Sequence, residues 1–177
     1  ERTSVYTAYA GFWFLIPLLL RTGFGRTIQD HPEWVDAQVP WHLLRSLADR
    51  LAIHPYDPPW LWLSDNDSDG APPEESDQVE PPSSEATAVV VSWRIAIRRW
   101  CRLHAHLGLA NLVRRPGWVS WSQTHVEVRM PLSSVDLRIR RAGLDLDPGW
   151  VPWLGRVVRF HFDAERRPHG AGGTTGR

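Results

Sequence analysis

Twenty-three residues, Ser64 to Ala86, hold eight acids, no base and one large aliphatic side chain, Val79. A stretch of this composition cannot bury enough apolar surface to offset its ordering entropy, so it reads as a disordered acidic linker. It divides the chain into two apolar, Trp-rich blocks, residues 1–63 and 87–165, with a polar, Gly-rich tail at 166–177. As a flexible chain the linker would span about 25 Å, enough for the blocks to pack as one domain or stand apart.

Charge follows the same division. Residues 1–63 carry five Arg and six acids, the linker stands at −8, and residues 87–177 carry fifteen Arg against six acids, or +9. The formal net charge is zero. All twenty basic residues are Arg, which offers bidentate, stackable contacts that Lys does not. An acidic strip tethered to a basic block can screen it, which weakens a nucleic-acid reading.

The first block opens with the apolar run Ala8 to Leu20. Its thirteen residues fall short of the roughly 18–20 a membrane-spanning helix needs, and no signal-peptide pattern surrounds it. A buried helix closed by Thr22-Gly23 is expected, with a membrane-inserting hairpin or anchor as the less favoured rival. His31-Pro32-Glu33 reads as a helix start, with Pro at the first helical position, and Val39-Pro40 as a second. From Pro40, the positions Trp41, Leu44, Leu47, Ala48 and Leu51 keep helical spacing, to an end near Ile53. Trp60 to Leu63 reads as a short apolar turn after Asp57-Pro58-Pro59.

In the second block, Ala88 to Leu109 restarts helical periodicity, with Trp93, Ile97, Trp100, His104 and Leu107 on one stripe. The period then changes to two. Thr124–Met130, Val135–Arg140 and Val158–Asp163 alternate apolar with polar residues, and Trp118–Ser122 reads as a further strand. Residues 143–155, punctuated by Gly and Pro, read as a loop that tucks into the fold. The expected class is α+β: a small helical block, the linker, then a helix packed on a short antiparallel sheet.

Eleven Trp is the compositional anomaly. The plainer reading makes them core and staple residues of a small fold, and the sharper one places several on an exposed face as anchors for a protein partner. Trp118, Trp150, Trp153 and Arg156 are the candidates for that role. Arg94, Arg98, Arg99, Arg102, Arg114 and Arg115, interleaved with Trp93, Trp100 and Trp118, form a candidate polyanion patch. The plainer reading of those arginines is a solvated helix face lying against the acidic linker.

Signs of catalysis are sparse. The chain contains no phosphate-cradling Gly loop, dinucleotide fingerprint or nucleophile elbow. Asp145 and Asp147 read as turn residues, and Asp65 to Gly70 matches only the opening of a calcium loop. His104 and His106, two apart on a helix, do not face one another. Cys101 with His104 could form a nucleophile–base pair, but a buried helical cysteine is the commoner arrangement. His125 and His161 could approach across strands, with Glu127 and Asp145 nearby; these four would make up a site in the enzymatic reading. No metal or cofactor is expected. The single Cys101 excludes an intramolecular disulfide framework and points to a reducing, cytoplasmic setting. The start at Glu1 suggests a piece of a longer protein.

The run Arg140-Arg141-Ala142-Gly143-Leu144-Asp145-Leu146-Asp147-Pro148-Gly149-Trp150-Val151-Pro152, followed by Gly155-Arg156-Val157-Val158-Arg159-Phe160-His161-Phe162, resembles uncharacterised bacterial proteins associated with contractile injection system gene clusters. Ala10 to Leu15, Pro17 to Leu20 and Gly23 are compatible with the same group, so the resemblance covers both blocks but not the linker. It implies an accessory or structural role in a large assembly and assigns no catalytic residue. The leading expectation is therefore a non-enzymatic interaction module of a bacterial assembly. A nucleic-acid or phosphate binder using the Arg-rich helix comes second, and an enzyme third.

Overall fold

The computed structural model describes residues 4–65 and 83–163. Most of the expected linker, positions 66–70 of the calcium-like run included, and the tail lie outside the described residues.

The first apolar run is helical and enclosed. A 3₁₀ turn, Ala10–Phe14, leads into α1 (Leu15–Arg21), and every residue from Ala10 to Leu19 is buried. Pro17 is the third residue of α1, where its missing N–H is one of the unpaired donors of a first turn. Gly23, at φ +87°, then reverses the chain. α2 (Phe24–Asp30), a single turn α3 (Glu33–Asp36) and α4 (Val39–Arg50) follow. α4 ends before Ile53 as expected, but Trp60 to Leu63, expected as a short apolar turn, lies in α5 (Pro58–Asp65), which Pro58 and Pro59 begin because proline is tolerated in a first turn. Ser64 and Asp65 thus belong to a helix rather than to the linker.

The linker's far end is also shorter than expected. Ser83 accepts a hydrogen bond from the Ala86 amide at 3.1 Å and so caps α6 (Ser84–Trp100). A π-turn at Cys101–Ala105 extends α6. This wider turn gives the inner positions to Cys101 and Ala105 and leaves His104 exposed, one residue away from the expected stripe. α7 (Leu109–Val113) leads to the sheet.

Five strands make up that sheet: β1 (Val5–Thr7), β2 (Gly117–Trp121), β3 (His125–Pro131), β4 (Gly149–Val151) and β5 (Arg156–Asp163). Their order is β1-β2-β3-β5-β4. Three pairs are antiparallel, but β3 and β5 run parallel, so the sheet is mixed rather than antiparallel. A parallel pair needs a crossover, and the segment expected as a strand at 135–140 supplies part of it as α8 (Leu137–Ala142). Asp136 decides that outcome. Its carboxylate accepts from the Arg138 amide at 2.9 Å, capping the helix, and bonds the guanidinium groups of Arg115 and Arg138, each at 2.9 Å.

The two halves share one cluster of buried side chains. Phe14 packs on Phe160 of β5 with ring centroids 5.0 Å apart, and the Ala10 amide donates to the Arg115 carbonyl at 2.7 Å. Trp13, Trp41 and Trp62 pack together with Phe12, and Trp93 and Trp153 both pack against Phe24. The architecture is α+β, and no helix among the described residues is long and apolar enough to cross a membrane.

Two sets of variants check this packing. A Cβ at Gly11 would collide with the backbone carbonyl oxygens of Leu112 and Val113, whereas one at Gly25 would meet only the flexible end of Leu20. Gly11→Ala should destabilise by about 1–3 kcal/mol or more in denaturant titration. Gly25→Ala, inside α2, should be neutral or stabilising by up to about 1 kcal/mol. Asp136 is held well below its ordinary value of 3.8, chiefly by its bond from Arg138 and further by Arg115. A carboxylate lowered on folding adds stability above its unfolded value and loses it as pH falls through the folded value. Asp136→Asn should therefore cost about 1 kcal/mol or more at pH 7 and flatten the wild type's stability loss below pH ~4.

Candidate functional site

Strand parity decides which side chains the sheet offers to solvent. Val126, Val128 and Met130 of β3 and Val158 and Phe160 of β5 are buried on the inner face, under the helices. The alternate residues form the outer face. In register across it lie Tyr6, Trp118, Arg129 and His161, then Ser120, Glu127 and Arg159, then His125, Val157 and Trp150. Tyr6, Trp118 and Trp150 are 56%, 46% and 58% exposed. Tyr6 and Trp118 meet edge to face, with ring centroids 5.4 Å apart.

Of the four candidate partner anchors, Trp118 and Trp150 therefore share the outer face. They stand at opposite corners, about 20 Å apart at ordinary strand spacings. Arg129, Arg159 and His161 lie between them, with Glu127 bonded to Arg129 at 3.9 Å. Trp153 and Arg156 do not join them, being only 7% and 8% exposed. Trp153 packs edge-on to Phe24, and Arg156 points inward by the parity of β5. Burial lowers the Arg156 pKa while Asp65 opposes the shift, and its Nη1 has no hydrogen-bond partner. Asp65 also accepts from the Trp121 indole at 2.6 Å. The last residue of α5 thus fastens one end of the sheet, a role that its place in an acidic run concealed.

The six candidate polyanion residues divide as well. Arg94, Arg98 and Arg102 line one groove together with Arg50 of α4, which the sequence did not single out. Arg99 is not in that groove but adjoins it, in a shallower hollow shared with Ile95, Arg98, Arg102 and Leu103. Arg114 is exposed after α7, outside that groove. Arg115 is engaged by Asp136 and by the Ser134 carbonyl. None of the interleaved aromatics lines that groove: Trp93 is against Phe24, Trp100 is against His104, and Trp118 lies on the sheet.

The residues of the enzymatic reading do not converge. His125 and His161 share the outer face but lie four residues apart in register, about 14 Å. Asp145 is buried and paired with Arg140 of α8 at 2.5 Å, and that guanidinium sits over Phe162 on the inner face. No group of three His, Cys, Asp or Glu able to hold a metal occurs among the described residues. Cys101 is fully buried, and burial pushes its thiol up to about 11, far from a reactive thiolate.

The fold and surface thus define an α+β protein with one covered and one open sheet face. No family model, curated protein or solved structure matches the chain.

Alkylation checks the cysteine assignment. At pH 8 iodoacetamide should leave Cys101 unmodified in the native protein and modify it fully in denaturant. Native labelling at the rate of a free thiol would contradict its burial.

Proposed function

We propose that the protein is a non-enzymatic interaction module of a bacterial multiprotein assembly, docking a protein partner through the outer face of its sheet. The observation that carries this reading is the exposure of Tyr6, Trp118 and Trp150 on one sheet face, with arginines between them. Large aromatic rings and Arg are the side chains enriched where binding energy concentrates, because each buries much area at little entropic cost. A merely solvated sheet face would be served by polar side chains alone. The separation of Trp118 and Trp150 suits a broad protein surface better than a small ligand.

The resemblance of residues 140–162 supports a contractile injection particle as the assembly, and a lone cysteine supports a cytoplasmic setting. The enzymatic alternative has less support, because its His and carboxylate groups are spread over two faces.

The test compares two baits in an extract of the native bacterium, read by quantitative mass spectrometry. One is the intact protein and the other the variant Tyr6→Ser/Trp118→Ser/Trp150→Ser. Proteins specific to the wild type should fall at least about tenfold with the variant. The variant should stay folded, losing about 0.5–1.5 kcal/mol with the Tyr6–Trp118 contact. An identical set of proteins from both baits, or none from the wild type, would remove the reading.

A further inference from the structure

A second surface lies elsewhere, in the groove between the end of α4, the outer side of α6 and the start of α7. Its volume is about 480 Å³. Leu47, Leu51, Ile95 and Leu109 supply its apolar lining, and Arg50, Arg94, Arg98 and Arg102 supply charge. Ile95 is 62% exposed, although burying a side chain of this kind is worth about 1.5–3 kcal/mol. Val91 and Leu103 extend the exposed apolar stripe along the same helix.

Four guanidinium groups around one groove repel one another. Arg94, which bonds the Ser46 hydroxyl at 2.8 Å, is lowered from its ordinary pKa by burial and then by Arg50. Among the described residues, none of Arg50, Arg98 and Arg102 has a carboxylate partner. The helix dipole accounts for basic residues near the ends of α4 and α6, at about 0.3–1 kcal/mol each. It does not account for two such ends converging on an exposed isoleucine.

Each feature narrows the occupant. The clustered positive charge calls for an anion. Aliphatic lining, without an aromatic ring free to stack a base, disfavours a nucleic acid. A concave groove fits a chain segment better than the flat surface of a bilayer. We infer that the groove binds an acidic amphipathic segment of a partner protein, with its carboxylates on Arg50, Arg94, Arg98 and Arg102 and its aliphatic side chains against Leu51, Ile95 and Leu109. This is the helix-in-groove mode of recognition with its charges reversed from the usual basic target. It goes beyond the sheet-face reading and stands apart from it, since neither set of residues contributes to the other.

The test uses the full chain and a fluorescein-labelled amphipathic peptide of Glu and Leu, followed by anisotropy. The peptide should bind at least about tenfold more tightly than polyglutamate of equal length, and added salt should weaken it. Arg98→Glu/Arg102→Glu should weaken it at least about tenfold, and Ile95→Ser severalfold, with unchanged melting curves. The Tyr6→Ser/Trp118→Ser/Trp150→Ser variant should bind it as the wild type does. Equal binding of polyglutamate or a thymidine oligonucleotide would overturn the inference in favour of a general polyanion patch. Unchanged binding by the Arg98→Glu/Arg102→Glu variant would overturn it too. So would binding seen only after residues 66–82 are replaced by Gly and Ser, since the occupant would then be the chain's own acidic segment.

Discussion

Ten consecutive residues, Ala10 to Leu19, have no exposed side chain, and the rest of the structure is arranged to enclose them. A helical segment apolar on every side cannot rest against one surface; it needs cover all round. Trp62 of α5 covers one side and Phe160 of β5 another. The carbonyl oxygens of α7 close over Gly11, and Gly117 of β2 gives Ala10 room to approach. Elements from both sides of the acidic stretch are therefore required. The pairing of β1 with β2 follows naturally, because Val5 to Thr7 lead directly into the enclosed run.

That enclosure also decides what is left open. The inner face of the sheet is filled by the run and by the helices around it, so the outer face and its aromatic corners remain toward solvent. α6 packs Ile97, Cys101 and Ala105 inward, which turns Ile95, Arg98 and Arg102 away from the core. Both candidate surfaces are consequences of how one apolar segment is buried. Neither depends on the groups that would make a catalytic site.

Much of this was legible in the chain. The period-two alternation in β3 and β5 reported both strands and separated buried Val126, Val128 and Met130 from outward His125, Glu127 and Arg129. Helical spacing from Pro40 located α4. Where reading failed, a local rule met a competing interaction. Val135 to Arg140 alternates like a strand, but the cap at Asp136 and its ion pairs turn the segment into α8. Pro58-Pro59 can stop a helix or begin one, and only the packing of Trp62 chooses. β1 is three residues long, too short for any period to register, so the join between the halves left no signal. Trp118, Trp150 and Trp153 look alike in sequence. Strand parity puts the first two outside, while the turn after β4 folds Trp153 against Phe24.

The central claim is that both halves form one cooperative core around the enclosed run. Native-state hydrogen exchange of the Ala10 amide, which donates across the halves to Arg115, measures it most directly. If the account holds, Ala10 exchanges only through global unfolding, with the same free energy and denaturant dependence as Val128 in β3. Exchange of Ala10 at distinctly lower free energy, while Val128 stays protected, would show that the first half opens independently, and would contradict the account.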